Sequence, residues 1–244
     1  MPRFFVPEAP PAGTVLPITG PILEHIRVLR LKPGNELILC DGRGTDCRCT
    51  IESIDPLSAA VRVSQTGPSS SEPSLRCSVY MAYAKQDKLE HVVQKATELG
   101  AHEIVAYPSA RCVSRPDPAS LEKKLARWQK IAVSAAEQSG RGRVPQVLAL
   151  KSYEEALLRA AKADLAVLLY ENEDKLSFRS AVSLAPFQTA SLVSGPEGGF
   201  DPSEVAFARS CGLHICSLGR RILRCETAPL CALSALLYAA GELE

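Results

Sequence analysis

The sequence predicts an α/β protein with a small β-rich unit at its start, and three observations carry that expectation. A polar, aperiodic stretch, Gly67-Pro68-Ser69-Ser70-Ser71-Glu72-Pro73-Ser74, reads as a linker. Short apolar pieces separated by turn signals precede it, and apolar runs alternating with helical periodicities follow it. The expected division is residues 1–70 and residues 75–244.

In the first part, Pro17-Ile18-Thr19-Gly20 and Pro33-Gly34-Asn35 mark turns, and the second leads into a strand over Glu36–Cys40. Asp41-Gly42-Arg43-Gly44 turns the chain into Cys47–Ile54, which alternates as a half-buried strand does, and Ala60–Val63 offers another. About 70 residues of this kind suit a compact barrel better than an open sheet with bare edges. Between the two turns, His25–Arg30 reads with Val28 and Leu29 buried and His25, Arg27 and Arg30 facing out.

The second part opens with a strand over Leu75–Ala84. A helix over Asp87–Leu99 follows, with Leu89, Val92, Val93, Ala96 and Leu99 on one face and Gly100 as its stop. Glu103–Tyr107 is a strand. Ser120 caps a longer helix whose inner face carries Leu121, Leu125, Trp128, Ala132 and Ala135 and which ends at Gly140. Leu165–Leu169 and Ala190–Val193 are strands of the fully buried type. Asp201-Pro202-Ser203-Glu204 combines an N-cap, a first-turn proline and a glutamate three residues after the cap. That helix stops near Gly212, Leu213–Leu218 is a further strand, and an apolar helix over Leu230–Leu243 closes the chain. Strands separated by helices imply a mainly parallel sheet covered on both faces.

Composition narrows the function. With 244 residues, 46% hydrophobic, 23% charged and a net charge of +1, the chain has ample material for a core and lacks the charge of a polybasic binder. Aromatics at 5% disfavour a protein that reads single strands by stacking bases on exposed rings. No apolar run approaches a membrane span and no signal-peptide pattern opens the chain, so a cytoplasmic location is expected. Nine cysteines without a Cys-x-x-Cys pair, and only four histidines, lack zinc spacing, so no metal is expected. In a reducing compartment most of these thiols read as small buried groups, Cys77 and Cys231 among them.

Two segments stand where chemistry is expected. Ser194-Gly195-Pro196-Glu197-Gly198-Gly199-Phe200 joins a buried strand to a capped helix, the position at which open α/β sheets bind ligands. It matches neither Gly-x-Gly-x-x-Gly nor a phosphate loop, and Glu197 suits a ligand bearing an amine or another cationic centre. A tight turn with an exposed glutamate is the bland reading of the same residues. Leu218-Gly219-Arg220-Arg221-Ile222-Leu223-Arg224-Cys225-Glu226-Thr227-Ala228 has the same placement. Ile222 and Leu223 can seat a flat heterocycle there, and the arginines favour an anionic partner. A charged turn with Thr227 as N-cap is its bland alternative. Cys225 has no histidine near it in sequence to activate it as a nucleophile.

Charge is unevenly distributed. Arg111 to Arg143 holds eight basic residues (Arg111, Arg115, Lys123, Lys124, Arg127, Lys130, Arg141, Arg143) against three acidic ones, in a chain of net charge +1. Such clustering is the footprint of a phosphate backbone, or else the wet face of an amphipathic helix.

Taken in order and spacing, several segments resemble the bacterial 16S ribosomal RNA uridine-N3 methyltransferases, of the SPOUT class. They are His25–Arg30, Gln94-Lys95-Ala96-Thr97-Glu98-Leu99-Gly100, Arg127-Trp128-Gln129-Lys130-Ile131, Glu137-Gln138-Ser139-Gly140-Arg141 with Val144-Pro145, Gly195–Gly199 and Leu218–Ala228. Cys225 departs from the threonine often found at that point. The resemblance implies an N-terminal PUA-like barrel that helps hold RNA and an α/β domain with a deep trefoil knot. It further implies a homodimer, S-adenosyl-L-methionine as cofactor, and 16S rRNA in the small ribosomal subunit as substrate. Carried over by motif, Gly195, Pro196, Glu197, Gly198 and Gly199 approach the methionine end of the cofactor. Leu218, Gly219, Ile222 and Leu223 seat the adenine, Thr227 and Ala228 close the pocket, and Leu169 and Tyr170 form another wall. Arg224 is the leading catalytic candidate, also lining the cofactor site, with Arg141 behind it and Glu197 to orient the cofactor or help move a proton. Arg3, His25, Arg27, Arg30, Arg111, Arg115, Arg141 and Arg143 are the RNA-facing candidates. Two other classes stay open at this point: an RNA-binding module without methyl transfer and, lacking its fingerprint, a nucleotide-dependent oxidoreductase.

Overall fold

In the computed structural model, which describes residues 1–243, the chain divides into two units: Met1–Glu72 with Ala136–Val144, and Pro73–Ala135 with everything from Pro145 onward. The first contains β1 (Arg3–Phe5), β2 (Val15–Ile18), α1 (Gly20–Val28), β3 (Glu36–Cys40), β4 (Thr45–Ile54) and β5 (Ala59–Pro68). Its sheet runs β1-β3-β4-β5-β2, with β1 parallel to β3 and the remaining pairs antiparallel. Alternation sets the two faces. Cys47, Cys49 and Ile51 of β4 and Val61 and Val63 of β5 point into the core, while Arg48 and Arg62 between them are exposed.

Three expectations about this unit change. Residues 20–28 form a helix, and its 3.6-residue period turns Leu23 and Ile26 into the core. Val28, two residues further on, therefore lies on the far side, 76% exposed, and Leu29 follows it out at 44%. The supposed linker begins later, since Gly67 and Pro68 still pair with Asp46 and Thr45. Proline is tolerated there because it is the last residue of the strand, and the next cross-strand donor is the Ser69 amide, which bonds Gly44 O (2.8 Å).

Ala136–Val144 groups with the first unit rather than with the second. Its attachments are specific: Gly142 N–H donates to Ser71 Oγ (3.0 Å), Arg143 N–H to Glu72 Oε1 (2.9 Å), and Val144 N–H to Gly42 O (3.0 Å). The Arg141 guanidinium meets the Glu72 carboxylate at 2.6 Å, and Arg141 is only 3% exposed. A second ion pair, Arg3 with Asp46, is likewise largely buried. Both arginines were expected at an RNA-facing surface. Desolvation forces a buried guanidinium onto a carboxylate, and these two are committed to structural pairs.

The second unit contains β6 (Arg76–Ala82), α2 (Lys88–Leu99), β7 (Glu103–Tyr107), α3 (Pro118–Ser139), β8 (Gln146–Ala149), α4 (Tyr153–Ala160), β9 (Leu165–Leu169), α5 (Phe178–Val182), β10 (Thr189–Ser194), α6 (Pro202–Ser210), β11 (His214–Cys216) and α7 (Thr227–Ala239). The last turn of α3, from Ala136, belongs to the first unit's grouping. All six strands are parallel, in the order β11-β9-β10-β6-β7-β8. The core packs Tyr80, Tyr107, Leu168 and Val193 of the sheet against Tyr153 and Leu157 of α4 and Val205 and Ala208 of α6.

Helix ends follow side-chain chemistry. Gly100, at φ +106°, takes the left-handed conformation that closes α2. Asp201 and Glu204 form a reciprocal capping box on α6. Two expected caps move. Asp117, not Ser120, holds the start of α3, accepting from the Ser120 amide (3.0 Å) and hydroxyl (2.7 Å), because Pro118 is the first helical residue. Glu226 rather than Thr227 precedes α7, with no side-chain cap bond. The elements β8, α4 and α5 had no counterpart in the sequence reading.

At the far end of the sheet from its carboxyl edge, Asp164 accepts from the amides of Gln188 (3.0 Å) and Thr189 (2.9 Å) and from the Thr189 hydroxyl (2.9 Å), ahead of β10. The Gln188 amide, then the Thr189 groups, hold its pKa below the ordinary carboxylate value. A depressed folded-state value means that this contribution is complete above the unfolded pKa and is lost as pH falls through the folded one. Asp164→Asn is expected to lower stability at neutral pH and to shallow the acid limb of a pH–stability curve. An unchanged acid limb would refute this assignment.

Candidate active site

Parallel strands deliver the loops at their carboxyl ends to one edge, and here β11, β9, β10 and β6 are consecutive neighbours. The loops after these four strands enclose a cavity of about 380 Å³. Leu169 and Glu171 enter from β9, Ser194–Glu197 with Gly199 and Phe200 from β10, Ile222–Cys225 and Ala228 from the segment after β11, and Lys88 from the start of α2. A smaller cavity of about 60 Å³ adjoins it, lined by Leu169, Tyr170, Glu171, Leu218, Gly219, Arg221, Leu223 and Ala228.

The loop after β10 is shaped by glycine. Gly199 sits at φ +65° and its amide donates to Pro196 O (3.0 Å), closing a turn. A Cβ there would lie 2.6 Å from Glu171 Oε1, so an alanine would push the carboxylate away as well as strain the backbone. Gly198 lies beneath Arg111, whose guanidinium donates to Gly198 O (3.2 Å) and pairs with Asp201 (3.3 Å). The buried Glu204 carboxylate anchors the same region, accepting from the Asp201 amide (2.9 Å), the Ala110 amide (2.8 Å) and the Ser109 hydroxyl (3.2 Å). Arg115 donates to Ser109 O (2.6 Å). Arg111 and Arg115 thus brace the glycine loop and the segment after β7 while staying exposed.

Charges in the larger cavity are organised around Lys88. Its ammonium lies 3.1 Å from Glu197 Oε1 and 3.8 Å from Glu226 Oε2, and the same Glu197 oxygen accepts from the Lys85 amide (2.8 Å). The bond to Glu197 raises the Lys88 pKa. Burial pushes Glu197 upward, but the Lys85 amide and the Lys88 ammonium outweigh it and leave its pKa below the ordinary carboxylate value. Glu197 is therefore an anion at neutral pH. Arg224 is exposed at the cavity wall, and its guanidinium makes no hydrogen bond or ion pair among the described residues.

Cys225 is the opposite case. Burial, helped by Glu226 and Glu197, pushes its thiol up to about 12, and the thiol donates to Glu226 Oε2 (3.2 Å). A thiol of that kind is neutral and inert at physiological pH. Cys231, expected to be buried, is exposed because it lies on the side of α7 opposite Leu233 and Leu237. Iodoacetamide at neutral pH is therefore expected to spare Cys225, with peptide mapping as the readout. Rapid loss of the Cys225 thiol would overturn that environment.

Most of the expected cofactor residues converge. Leu169, Gly195, Pro196, Glu197, Gly199, Ile222, Leu223, Arg224 and Ala228 line the larger cavity, and Tyr170, Leu218 and Gly219 the smaller. Gly198 lies behind the loop under Arg111, and Thr227 is exposed at the first position of α7, lining neither cavity. Arg141 belongs to the first unit, where it pairs with Glu72. His25, Arg27 and Arg30 are exposed, with Arg27 donating to Asp55 O and Pro56 O, and Arg143 is half-buried. Ser194 and Phe200, the ends of the glycine segment singled out in the sequence, also line the larger cavity, whereas Lys88 and Glu171 were missed. Glu171 directly follows the Leu169-Tyr170 wall, and Lys88 opens the helix after β6, so strand-end position was the available signal.

Residues 71–237 match the family model of the RNA methyltransferase domain, and residues 18–64 match that of the RNA methyltransferase PUA domain. The ribosomal RNA small subunit methyltransferase E of Bacillus subtilis (strain 168) is 38% identical over 227 residues, which cover 91% of this chain and 89% of that protein. Its namesake from Mycobacterium bovis is 35% identical over 241 residues, 96% of this chain and 90% of that protein. Among solved structures, a ribosomal RNA small subunit methyltransferase E from Neisseria gonorrhoeae bound to S-adenosyl methionine superposes with a TM-score of 0.84. It is 32% identical, over 98% of this chain and 97% of that one. The putative methyltransferase Lpg2936 from Legionella pneumophila, in complex with the same cofactor, gives 0.81 at 30% identity, over 97% of each chain. With both units matched and identities of this size over nearly the full length, the chain belongs to the ribosomal RNA small subunit methyltransferase E family.

Proposed function

We propose that this protein transfers a methyl group from S-adenosylmethionine to N3 of a uridine in 16S rRNA of the small ribosomal subunit, in the cytoplasm. The observation that carries the reading is the cavity at the carboxyl edge of four adjacent parallel strands, in a chain of this family. Its residues fit the cofactor. A volume of about 380 Å³ lies within the roughly 300–1,000 Å³ of small-molecule sites. Leu169, Leu218, Leu223 and Ala228 offer an apolar seat, the anionic Glu197 suits a cationic ligand, and Gly199 leaves room for close approach.

When bound, S-adenosylmethionine supplies an electrophilic methyl group on a sulfonium. The rest falls to this chain. The uridine N3–H is a weakly acidic imide, so the nitrogen must give its proton to solvent and present its lone pair in line, the new N–CH3 bond forming as the methyl–sulfur bond breaks and S-adenosylhomocysteine leaves. Arg224, unpaired at the cavity wall, stabilises the negative charge that develops on the uracil. Glu197, held as an anion by Lys85 and Lys88, orients the cationic end of the cofactor. Lys88 keeps that carboxylate in place and adds positive charge on the side where the base becomes an anion. His25, Arg27 and Arg30 of the first unit, with Arg111, Arg115 and Arg143, are the proposed contacts to RNA phosphates.

A homodimer is the proposed assembly. Helix α7 is apolar on nearly every side, and Cys231, Ala235 and Tyr238, spaced along one stripe, remain exposed. Tyr238→Arg is expected to shift the protein toward monomer in sedimentation velocity; an unchanged dimer would place the interface elsewhere.

Methyl transfer from tritiated S-adenosylmethionine to unmethylated 30S subunits and to naked rRNA, followed by nucleoside mapping, tests the reading. Label is expected in N3-methyluridine, with the assembled subunit the better substrate. No incorporation together with no cofactor binding in calorimetry would leave an RNA-binding module without methyl transfer.

A further inference from the structure

Four carboxylates stand in or beside the two cavities, and three are committed. Glu197 is held by the Lys85 amide and Lys88, Glu226 accepts from Cys225, and Glu173 accepts from the Lys175 amide and pairs with Arg209. Glu171 has no hydrogen bond or ion pair among the described residues. It is also the acidic residue that lines both cavities, sharing that position with Leu169, Leu223 and Ala228. Its place is reserved from the other side, because a side chain on Gly199 would come within 2.6 Å of its Oε1.

We infer that Glu171 accepts hydrogen bonds from the ribose hydroxyls of the cofactor, an inference that rests on the cofactor reading above. The two cavities differ in chemistry. The smaller, where Leu169, Tyr170, Leu218, Leu223 and Ala228 stand beside Glu171 and Arg221, suits a flat heterocycle, while the larger carries Lys88 and Glu197 and suits a charged amino-acid tail. In a nucleoside that bears such a tail, the sugar joins the two parts. A residue on the wall common to both cavities therefore faces the sugar, whichever cavity takes the base. A vicinal diol offers two O–H donors, and an ionised carboxylate is an acceptor with two oxygens. The same chemistry places an acidic side chain on the ribose in dinucleotide-binding folds. Glu171 is thus a binding and positioning residue: with the sugar held, the tail cannot slide along the cleft.

Calorimetric titration of the full-length protein with S-adenosylhomocysteine, its 2′-deoxy and 3′-deoxy analogues and its deaminated analogue tests this without turnover. In the wild type, removal of a contacted hydroxyl should weaken binding by about 10- to 100-fold, the range for a hydrogen bond to a charged group. In Glu171→Ala and Glu171→Gln the parent compound should bind more weakly, and in Glu171→Ala the deoxy analogues should bind as well as the parent. Wild-type binding with the discrimination intact in Glu171→Ala would overturn the inference and leave the cofactor reading standing. So would a variant that loses discrimination only against the deaminated analogue, which would place Glu171 on the amine. Failure of the wild type to bind S-adenosylhomocysteine at all would overturn both.

Discussion

Arg224→Ala is expected to lower the single-turnover rate of methyl transfer by about 10²–10³-fold, the usual cost of removing one donor from a developing anion. Affinity for S-adenosylhomocysteine should stay near the wild-type value. The reason is the state of the side chain. Arg224 lines the cavity, is exposed, and its guanidinium makes neither a hydrogen bond nor an ion pair among the described residues, so its charge is available to a substrate. Arg141, from an equally basic loop, spends its charge on Glu72. Charge stabilisation acts on the step in which uracil N3 gives up its proton and attacks, so the loss should appear in the rate at saturating cofactor. Full single-turnover methylation by Arg224→Ala with normal cofactor affinity would remove it from the mechanism.

The largest stability effect is expected at Glu72. Its carboxylate takes Arg141 at 2.6 Å and the Arg143 amide at 2.9 Å, with the two side chains only 16% and 4% exposed. Glu72→Ala removes the carboxylate that this buried guanidinium meets, and breaking such a pair costs about 3–5 kcal/mol. Urea denaturation followed by circular dichroism reads that loss, and replacing both partners, Glu72→Leu with Arg141→Met, should recover much of it. A single-variant loss below about 1 kcal/mol would mean that the pair behaves as a solvated surface bridge. Because Arg141 and Arg143 lie about 70 residues downstream of Glu72, residues 1–72 made alone would leave this carboxylate unpaired.

Legibility varied with how local the deciding interactions are. Glu36–Cys40, Glu103–Tyr107 and Leu165–Leu169 form strands with the bounds read from the sequence, because continuous apolar runs between turn signals have one way to be buried in a sheet. The capping box of α6 was equally plain, since its residues are within four of one another. By contrast, β8 has four residues and α5 five, too few for a period to declare itself. Helix α1 was hidden by turn residues at both ends, and Val28 and Leu29 were assigned inward because apolarity alone does not say which side of a helix a residue occupies.

The sequence by itself determined the alternation of strands and helices, the position of the two glycine-bearing loops at strand ends, and the family resemblance. Each of these is written in residue order. Only the tertiary structure decided which charges are free. Arg3, Arg141 and Arg224 are the same residue type, yet two pair with carboxylates 43 and 69 residues away and the third makes no ion pair among the described residues. It also decided that Glu171 stands where two cavities meet and that residues 136–144 join the first unit. Periodicity and capping act over a few residues, whereas desolvation and ion pairing depend on neighbours in space.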